Sequence, residues 1–514
     1  MTNSQRARRA GLAALCTGAL TLSLALTATA AARPAAAPEG EEIVRSRTVP
    51  VNVTDYRWLC TAAPFGMPRE HTFDLFDDVR LTAVEDGLVR DGQKVTWTGH
   101  LKSDPRHNVV LSTTKVCEPG IDPAGVGIDA HFDLSERVFR IAGMRNEPGR
   151  LQITEEDPSK HEPSAPDDNH LGRSAPDPKT MRDALERLKK RAAAPGPVII
   201  DMIVGYTPAA ARRIGGEQAM DARIKLAQSY INQAFADSNV QASVDIVGTY
   251  NTAYYGDQQA ATVLPMISNP REPQLGTRAG QLREQYGVDL VSVITDIPDG
   301  SSGRASLPMP ISEHSDNEAF SVVDVQSITA WYNFGHEVGH NLAMFHDRTT
   351  LDDQSGGQGY EHLLTTPYST GFVTPNRDFH TLMAYSTACG GPCTAVNQYS
   401  NTENLVNGEP LGNQYNNNAA VARLTTPVVS GYRNLKASIV RHALTLSQSS
   451  GGEIRPATYG PYRAGTTVAV NAITAPGQRV AAWEFDGNRY NITGTQVTVT
   501  MDRAHTLKAV FTRN

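Results

Sequence analysis

A chain of 514 residues with 54 acidic and 47 basic side chains, a net charge of −7, has room for about three domains and no basic surface for nucleic acid. Forty per cent hydrophobic content fits globular folding, and beyond the amino terminus no stretch approaches the ~18–20 continuous apolar residues of a membrane span.

Residues 1–32 read as a secretory signal peptide. Arg6, Arg8 and Arg9 precede an apolar run from Ala10 to about Thr27, and Ala28-Thr29-Ala30 and Ala30-Ala31-Ala32 offer small-residue cleavage sites. The product is therefore expected to be secreted and extracellular. Losing Cys16 with the signal leaves four cysteines, which group as Cys60 with Cys117 and Cys389 with Cys393; an oxidising compartment makes disulfides the default.

Between 33 and 155 the chain is strand-rich, with short β-type runs at Val95–Leu101, Asn108–Ser112 and Val138–Ile141 separated by Gly, Pro and Asp. A Pro/Asp/Ser/His-rich linker without apolar period follows over 155–178 and is expected to be exposed. Thr180–Arg191 reads as a helix ending in the basic cluster Arg187-Leu188-Lys189-Lys190-Arg191. Residues 33–195 are read as an inhibitory propeptide removed at an exposed basic site, the alternative being an accessory domain that stays attached.

The next region, 196–436, has an α/β order. Val198–Val204 is a near-continuous apolar strand, and Met220, Ile224, Ala227, Ile231, Ala234 and Phe235 place one buried stripe on a helix. Val240, Ala242, Val244 and Ile246 alternate with Gln241, Ser243 and Asp245, predicting a strand with one wet face. A polar helix over Thr277–Tyr286 and a buried strand over Leu290–Ile294 complete a sheet built ahead of a further helix, about Ile328–Leu342, whose stripe Trp331, Phe334, Val338 and Leu342 faces the core.

That last helix carries the chemistry. His336-Glu337-Val338-Gly339-His340 puts two imidazoles four residues apart on one face, and His346 follows six residues on, ahead of Asp347. Three neutral nitrogen ligands leave one position of a tetrahedral zinc ion open to water, whose pKa the metal lowers to about 7; Glu337 is then the general base. Leu351–Tyr360 beyond it is an acidic, glycine-rich loop, read as solvated, with calcium as an unsupported second reading.

This string resembles the zinc signature HExxHxxGxxH of the metzincin metallopeptidases, in particular the reprolysin-like members with aspartate after the third histidine. The family's methionine turn has a counterpart in Thr381-Leu382-Met383-Ala384-Tyr385-Ser386. Val204-Gly205-Tyr206-Thr207-Pro208, Phe334-Gly335 and Tyr399-Ser400-Asn401 extend the similarity to bacterial peptidyl-Asp metalloendopeptidases over roughly 197–434. The resemblance implies a mixed twisted sheet plus active-site helix, a zinc ion on His336, His340 and His346, Met383 as a hydrophobic floor beneath it and Asp347 as a supporting anchor. It gives Tyr385 either a place at the oxyanion or a structural hydrogen bond. Ala343 departs from the pattern, standing where the family has the glycine that lets the backbone reverse. Aspartate specificity would ask for a basic pocket residue, with Arg304 and Arg377 as candidates, and the Cys389–Cys393 loop would stiffen the pocket wall.

The last block, 437–514, reads as a separate small all-β module. Thr467–Val470, Val480–Phe485, Val497/Val499/Met501 and Leu507–Phe511 predict four or five short strands. It resembles the internalin-type β-repeats of bacterial secreted proteins, which implies either attachment to a cell-surface or extracellular partner or a stability cap. Together these readings predict a secreted zinc metalloendopeptidase made as a zymogen, with protein substrates. The rival readings are an adhesion protein on a catalytically decayed metzincin scaffold and a zinc amidase.

Overall fold

Alternation of apolar and polar side chains builds the N-terminal region as an antiparallel meander. In the computed structural model, which describes residues 42–61, 64–134, 137–144, 146–158, 176–192, 196–298, 300–391 and 393–514, it comprises β1 (Ile43–Pro50), β2 (Glu70–Phe76), β3 (Val79–Asp91), β4 (Lys94–Leu101), β5 (Asn108–Thr114), β6 (Gly127–Asp133), β7 (Val138–Gly143) and β8 (Arg150–Glu156). The expected signal peptide and most of the expected linker lie outside the described residues. The strands run in the order β1-β8-β7-β6-β5-β4-β3, with β2 on β3. Leu59, Trp97, Phe132 and Phe139 sit in a core that belongs to this region alone, and Cys60–Cys117 staples its first turn to the segment after β5.

Three of these eight strands were expected. The longest, β3, is disguised by Glu85-Asp86 and a bulge between Glu85 and Gly87. Glu85 is nevertheless buried, because Arg69 pairs with its carboxylate at 2.6 Å and the Trp97 indole N–H donates to it at 3.0 Å. The expected linker boundary at 155 is also too early. Glu155 and Glu156 are the buried end of β8, with Glu155 paired to Arg45 at 2.6 Å and Arg137 at 2.7 Å.

Helix α1 (Pro178–Ala192) leaves its basic side chains exposed, but Leu188 enters the core of the next region. That region is a sheet of β9 (Val198–Tyr206), β10 (Ala242–Asn251), β11 (Leu290–Thr295), β12 (Gly303–Ala305) and β13 (Phe320–Asp324), in the order β10-β9-β11-β13-β12. Its pairings are parallel except for β12, the antiparallel edge. Helices α2 (Pro208–Arg213), α3 (Glu217–Asp237), α4 (Ala260–Ser268) and α5 (Gly276–Tyr286) fill the connections, α3 burying the expected stripe. The wet face expected on β10 is dry: Ser243 and Asp245 are buried, and Arg441 and Arg463 from the C-terminal module cover Asp245.

Two further expectations fail locally. The helix expected over 328–342 breaks into α6 (Ser327–Ala330) and α7 (Asn333–Asn341), because Tyr332 takes a left-handed conformation, φ 54°, and donates its hydroxyl to Asp133 of the N-terminal sheet. Trp331 at that break is only half-buried, outside the core stripe. The first half of the loop expected over 351–360 is instead the end of α8 (Arg348–Ser355), started by the Asp347 side chain and stopped by Gly356 at φ 59°.

Beyond α8, short pairs β14 (Phe379–Thr381) with β15 (Thr394–Val396) and β16 (Leu405–Val406) with β17 (Glu409–Pro410) lead to α9 (Asn418–Val429), on which α1 rests through an Arg191 hydrogen bond to the Pro427 carbonyl at 2.9 Å.

The C-terminal module is all-β as expected, with β18 (Arg441–His442), β19 (Leu444–Gln448), β20 (Gly452–Pro456), β21 (Tyr462–Arg463), β22 (Thr467–Thr474), β23 (Gln478–Phe485), β24 (Asn488–Tyr490), β25 (Gln496–Thr500) and β26 (His505–Arg513). It is not separate. Thr467 and Val468 of β22 pair with Leu88 and Gly87 of β3, so β20, β22 and β25 continue the N-terminal sheet to 11 strands. Among the described residues no helix is long and apolar enough to cross a membrane.

Candidate metal centre

Helix α7 points Phe334 and Val338 into the core, which leaves His336 and His340, one turn apart, on its other face. The helix stops at once. Ala343 adopts φ 61°, the left-handed reversal for which glycine is the expected residue, and the Met344 amide bonds back to the Gly339 carbonyl at 3.0 Å. That reversal delivers His346. Alanine carries a conformational cost of about 1–2 kcal/mol there, and its methyl group is fully buried.

The three imidazoles converge. His340 Nε2 lies 3.1 Å from His336 Nε2 and 3.0 Å from His346 Nε2. Each ring's other nitrogen has an oxygen partner: the Leu382 carbonyl for His336 at 2.6 Å, the Met344 carbonyl for His340 at 2.9 Å, and Gln354 Oε1 for His346 at 3.3 Å. Nδ1 is thereby the donor, so three Nε2 lone pairs face one point, an arrangement that only a cation makes favourable. Tetrahedral zinc with bonds of about 2.0–2.1 Å separates its nitrogens by roughly 3.3 Å, so the donor set fits after a small outward movement. Among the described residues this is the group of three metal-ligating side chains.

Glu337 is buried beside the histidines, and Asn333 Nδ2 donates to its Oε1 at 3.1 Å while also donating to the Ser302 carbonyl at 2.5 Å. A Cβ on Gly303 would stand 2.7 Å from Glu337 Oε1, so the edge strand β12 passes directly over the carboxylate. Asn333, Gly303 and Gln354 are positioning residues that the sequence reading missed. Asn333 alone had a local signal, its place four residues before Glu337 on the same helix.

Met383 is fully buried, and a Cβ on Gly339 would come within 2.4 Å of its sulfur, which places the thioether hard under the helix between the two histidines. Asp347 touches no zinc-facing nitrogen. Its carboxylate accepts from the Thr350 amide at 2.9 Å, the Thr350 hydroxyl at 2.8 Å and the Tyr385 amide at 3.2 Å, and so ties the third histidine's loop to the methionine turn. Burial raises its pKa against the pull of those donors. The Tyr385 ring packs on His346 and His336, with centroids 4.8 and 5.3 Å away.

The Cys389–Cys393 bridge forms just past the turn, and Arg377 donates to the Cys389 carbonyl at 3.3 Å. Arg304 follows Gly303 on β12. A cavity of about 290 Å³ opens beside Gln354, lined also by Thr349, Thr350, Asp353, Thr387 and Ala388; neither arginine reaches it.

Comparison with known proteins finds similarity to one family over this site. Residues 197–400 match the model of metallo-peptidase family M12, in its reprolysin-like form, and residues 442–514 match a divergent InlB B-repeat domain. Proteins named peptidyl-Asp metalloendopeptidase are similar over longer stretches. One from Stenotrophomonas maltophilia K279a is 25% identical over 332 residues, 63% of this chain and 73% of its own length. A second, from strain R551-3, is 25% identical over 418 residues, 77% and 92% respectively. One from Pseudomonas aeruginosa is 29% identical over 209 residues, 39% and 34%.

Proposed function

We infer that this chain, which carries a reprolysin-like M12 metallopeptidase domain, is a zinc-dependent metalloendopeptidase, exported as a zymogen and cutting peptide bonds of extracellular proteins. The convergence of three Nε2 atoms whose Nδ1 partners are all oxygens carries the reading. Bound zinc supplies a Lewis acid for the scissile carbonyl and a water of pKa about 7. Glu337, oriented by Asn333, takes the proton from the attacking water and returns it to the leaving amine. Tyr385, held against two of the histidines, steadies the charge that develops on the carbonyl oxygen.

Latency is supported by the way the N-terminal sheet grips the catalytic region. Asp129 pairs with Arg223 of α3 at 2.5 Å in a buried site, Lys94 pairs with Asp221 at 2.7 Å, and Asp133 holds Tyr332, the residue from which α7 starts. The relatives' name brings aspartate-directed cleavage into the reading, and Arg304 and Arg377 are the cations the reading offers to meet an aspartate side chain.

Replacing Glu337 by alanine should leave zinc content and fold intact and abolish proteolysis of a peptide library by the processed protein. Cleavage at the unmodified rate would remove the assigned base. In the same library, Arg304→Gln should lower the preference for aspartate.

A further inference from the structure

The N-terminal sheet, the catalytic region and the C-terminal module meet at one junction built from charge. Arg441 of the module bridges Asp201 and Asp245 of the catalytic sheet. Arg463 binds Asp245 at 2.7 Å and Asp91 of β3 at 2.7 Å. Lys225 of α3, almost wholly buried, reaches the other oxygen of Asp91 at 2.8 Å and the Ile246 carbonyl at 3.0 Å. Three carboxylates, Asp91, Asp201 and Asp245, thus balance three cations, Lys225, Arg441 and Arg463; without Asp91 two carboxylates face three cations.

The direct contacts between the two ends of the chain are specific. β22 pairs with β3, Gly66 forms a bridge with Thr498, and Gln496 donates to Asp86 at 2.7 Å. Phe65 stacks on Phe485 with centroids 4.4 Å apart and meets Tyr490 edge-on at 4.8 Å. Yet each end keeps its own hydrophobic core, and among the described residues only Phe65 crosses from the N-terminal region into the module's core. Between them and α3 lies a cavity of about 430 Å³ with polar walls that include Asp86, His100, Gln228, Asn232, Asn471 and Gln496. Ion pairs, a sheet edge and one aromatic plug around a polar cavity are the makings of a separable interface, not of a shared core.

We propose that the C-terminal module is the latch of the N-terminal domain: its β22 edge, Phe485/Tyr490 face and Arg463 form a docking surface whose partner is the N-terminal sheet of the same chain, and they hold that sheet on the catalytic region after the connection between them is cut. The proposal rests on the reading that the N-terminal region is severed from the catalytic one. It gives the module a task inside the precursor, and it makes release of the N-terminal domain a step distinct from cleavage. Once the domain leaves, the β22 edge and the Phe485/Tyr490 face are uncovered together.

The test uses the full chain with a recognition sequence for a site-specific protease inserted after Pro158. After cutting, the N-terminal fragment should co-elute with the rest on size exclusion. Phe65→Ala, Gln496→Ala and their combination should each speed its loss, the pair on the order of tenfold or more, when release is followed by dilution and rapid gel filtration. Lys94→Ala, which weakens the grip on α3 and β10 of the catalytic region through Asp221 and Thr249, should act equally whether or not Phe65 is replaced. Immediate release from the cut wild-type chain, or release rates untouched by the Phe65 and Gln496 changes, overturns the latch. A retained fragment on a fully active enzyme would leave the latch standing and refute the inhibitory reading instead, so the two fail separately.

Discussion

Gly339 lies between the two helix-borne histidines, and Gly339→Ala tests whether Met383 supports the metal site or merely fills space below it. The added Cβ would sit 2.4 Å from Met383 Sδ, 3.2 Å from its Cε and 3.4 Å from Met344 Cε. Carbon contacts are comfortable at about 3.5–4.0 Å, so the sulfur must retreat by roughly 1 Å, and Met383 has no exposed surface to retreat toward. Overpacking of this kind costs about 1–3 kcal/mol. The strain does not stay local, because the neighbouring Leu382 carbonyl accepts from His336 Nδ1 at 2.6 Å and fixes that ring's tautomer and tilt. Loss of such an orienting partner lowers metal affinity by about 10–100-fold. Competition with a chromophoric chelator, on protein whose circular dichroism matches the parent, reads the affinity directly. Gly339→Ala combined with Met383→Ala should recover part of the loss, since the smaller side chain makes room for the methyl group. If Gly339→Ala binds zinc as tightly as the parent, the methionine turn does not position the site and the reasoning fails.

Other perturbations separate the remaining roles. Tyr385→Phe should keep zinc binding and lower kcat by about 10²–10³ with KM little changed, if the hydroxyl serves the oxyanion; an unaltered kcat leaves only the packing of its ring on His336 and His346. Ala343→Gly relieves about 1–2 kcal/mol of left-handed strain but gives up about 0.8 kcal/mol of methyl burial and about 0.5–1 kcal/mol of chain entropy, so denaturant unfolding should place it within about 1 kcal/mol of the parent. His380, buried near the methionine turn, is pushed by desolvation from 6.5 down to about 4. The unfolded chain therefore binds a proton that the folded one refuses between those pH values. The stability His380 contributes is complete above about pH 6.5 and falls by about 3 kcal/mol as pH drops to about 4. His380→Gln should flatten that part of the stability profile relative to the parent.

What could be read from the chain and what could not divides along the range of the interactions. The metal site was legible because its ligands are local: helical spacing aligns His336 with His340, one reversal at residue 343 brings in His346, and a positive φ at Ala343 meets the expectation for a position where glycine is usual. The hydrophobic stripe of α3 is legible for the same reason, since it is a property of 21 consecutive residues. Apart from α8, whose start and stop at Asp347 and Gly356 are local, the misreadings at Glu85-Asp86, Asp245 and Tyr332 concern side chains whose partners are remote. Glu85-Asp86 hid β3 because Arg69, Trp97 and Gln496 neutralise them from other strands. Asp245 looked solvated because the arginines that cover it stand 196 and 218 positions further on. Tyr332 broke a helix that its own segment favours because Asp133, 199 positions earlier, holds its hydroxyl. Charged and polar residues report only their intrinsic preference for water, and that preference is reversed wherever a distant partner compensates burial. The errors at Asp86, Asp245 and Tyr332 therefore fall where the N-terminal sheet, the catalytic region and the C-terminal module meet, and they mark the surfaces at which these parts of the chain recognise one another.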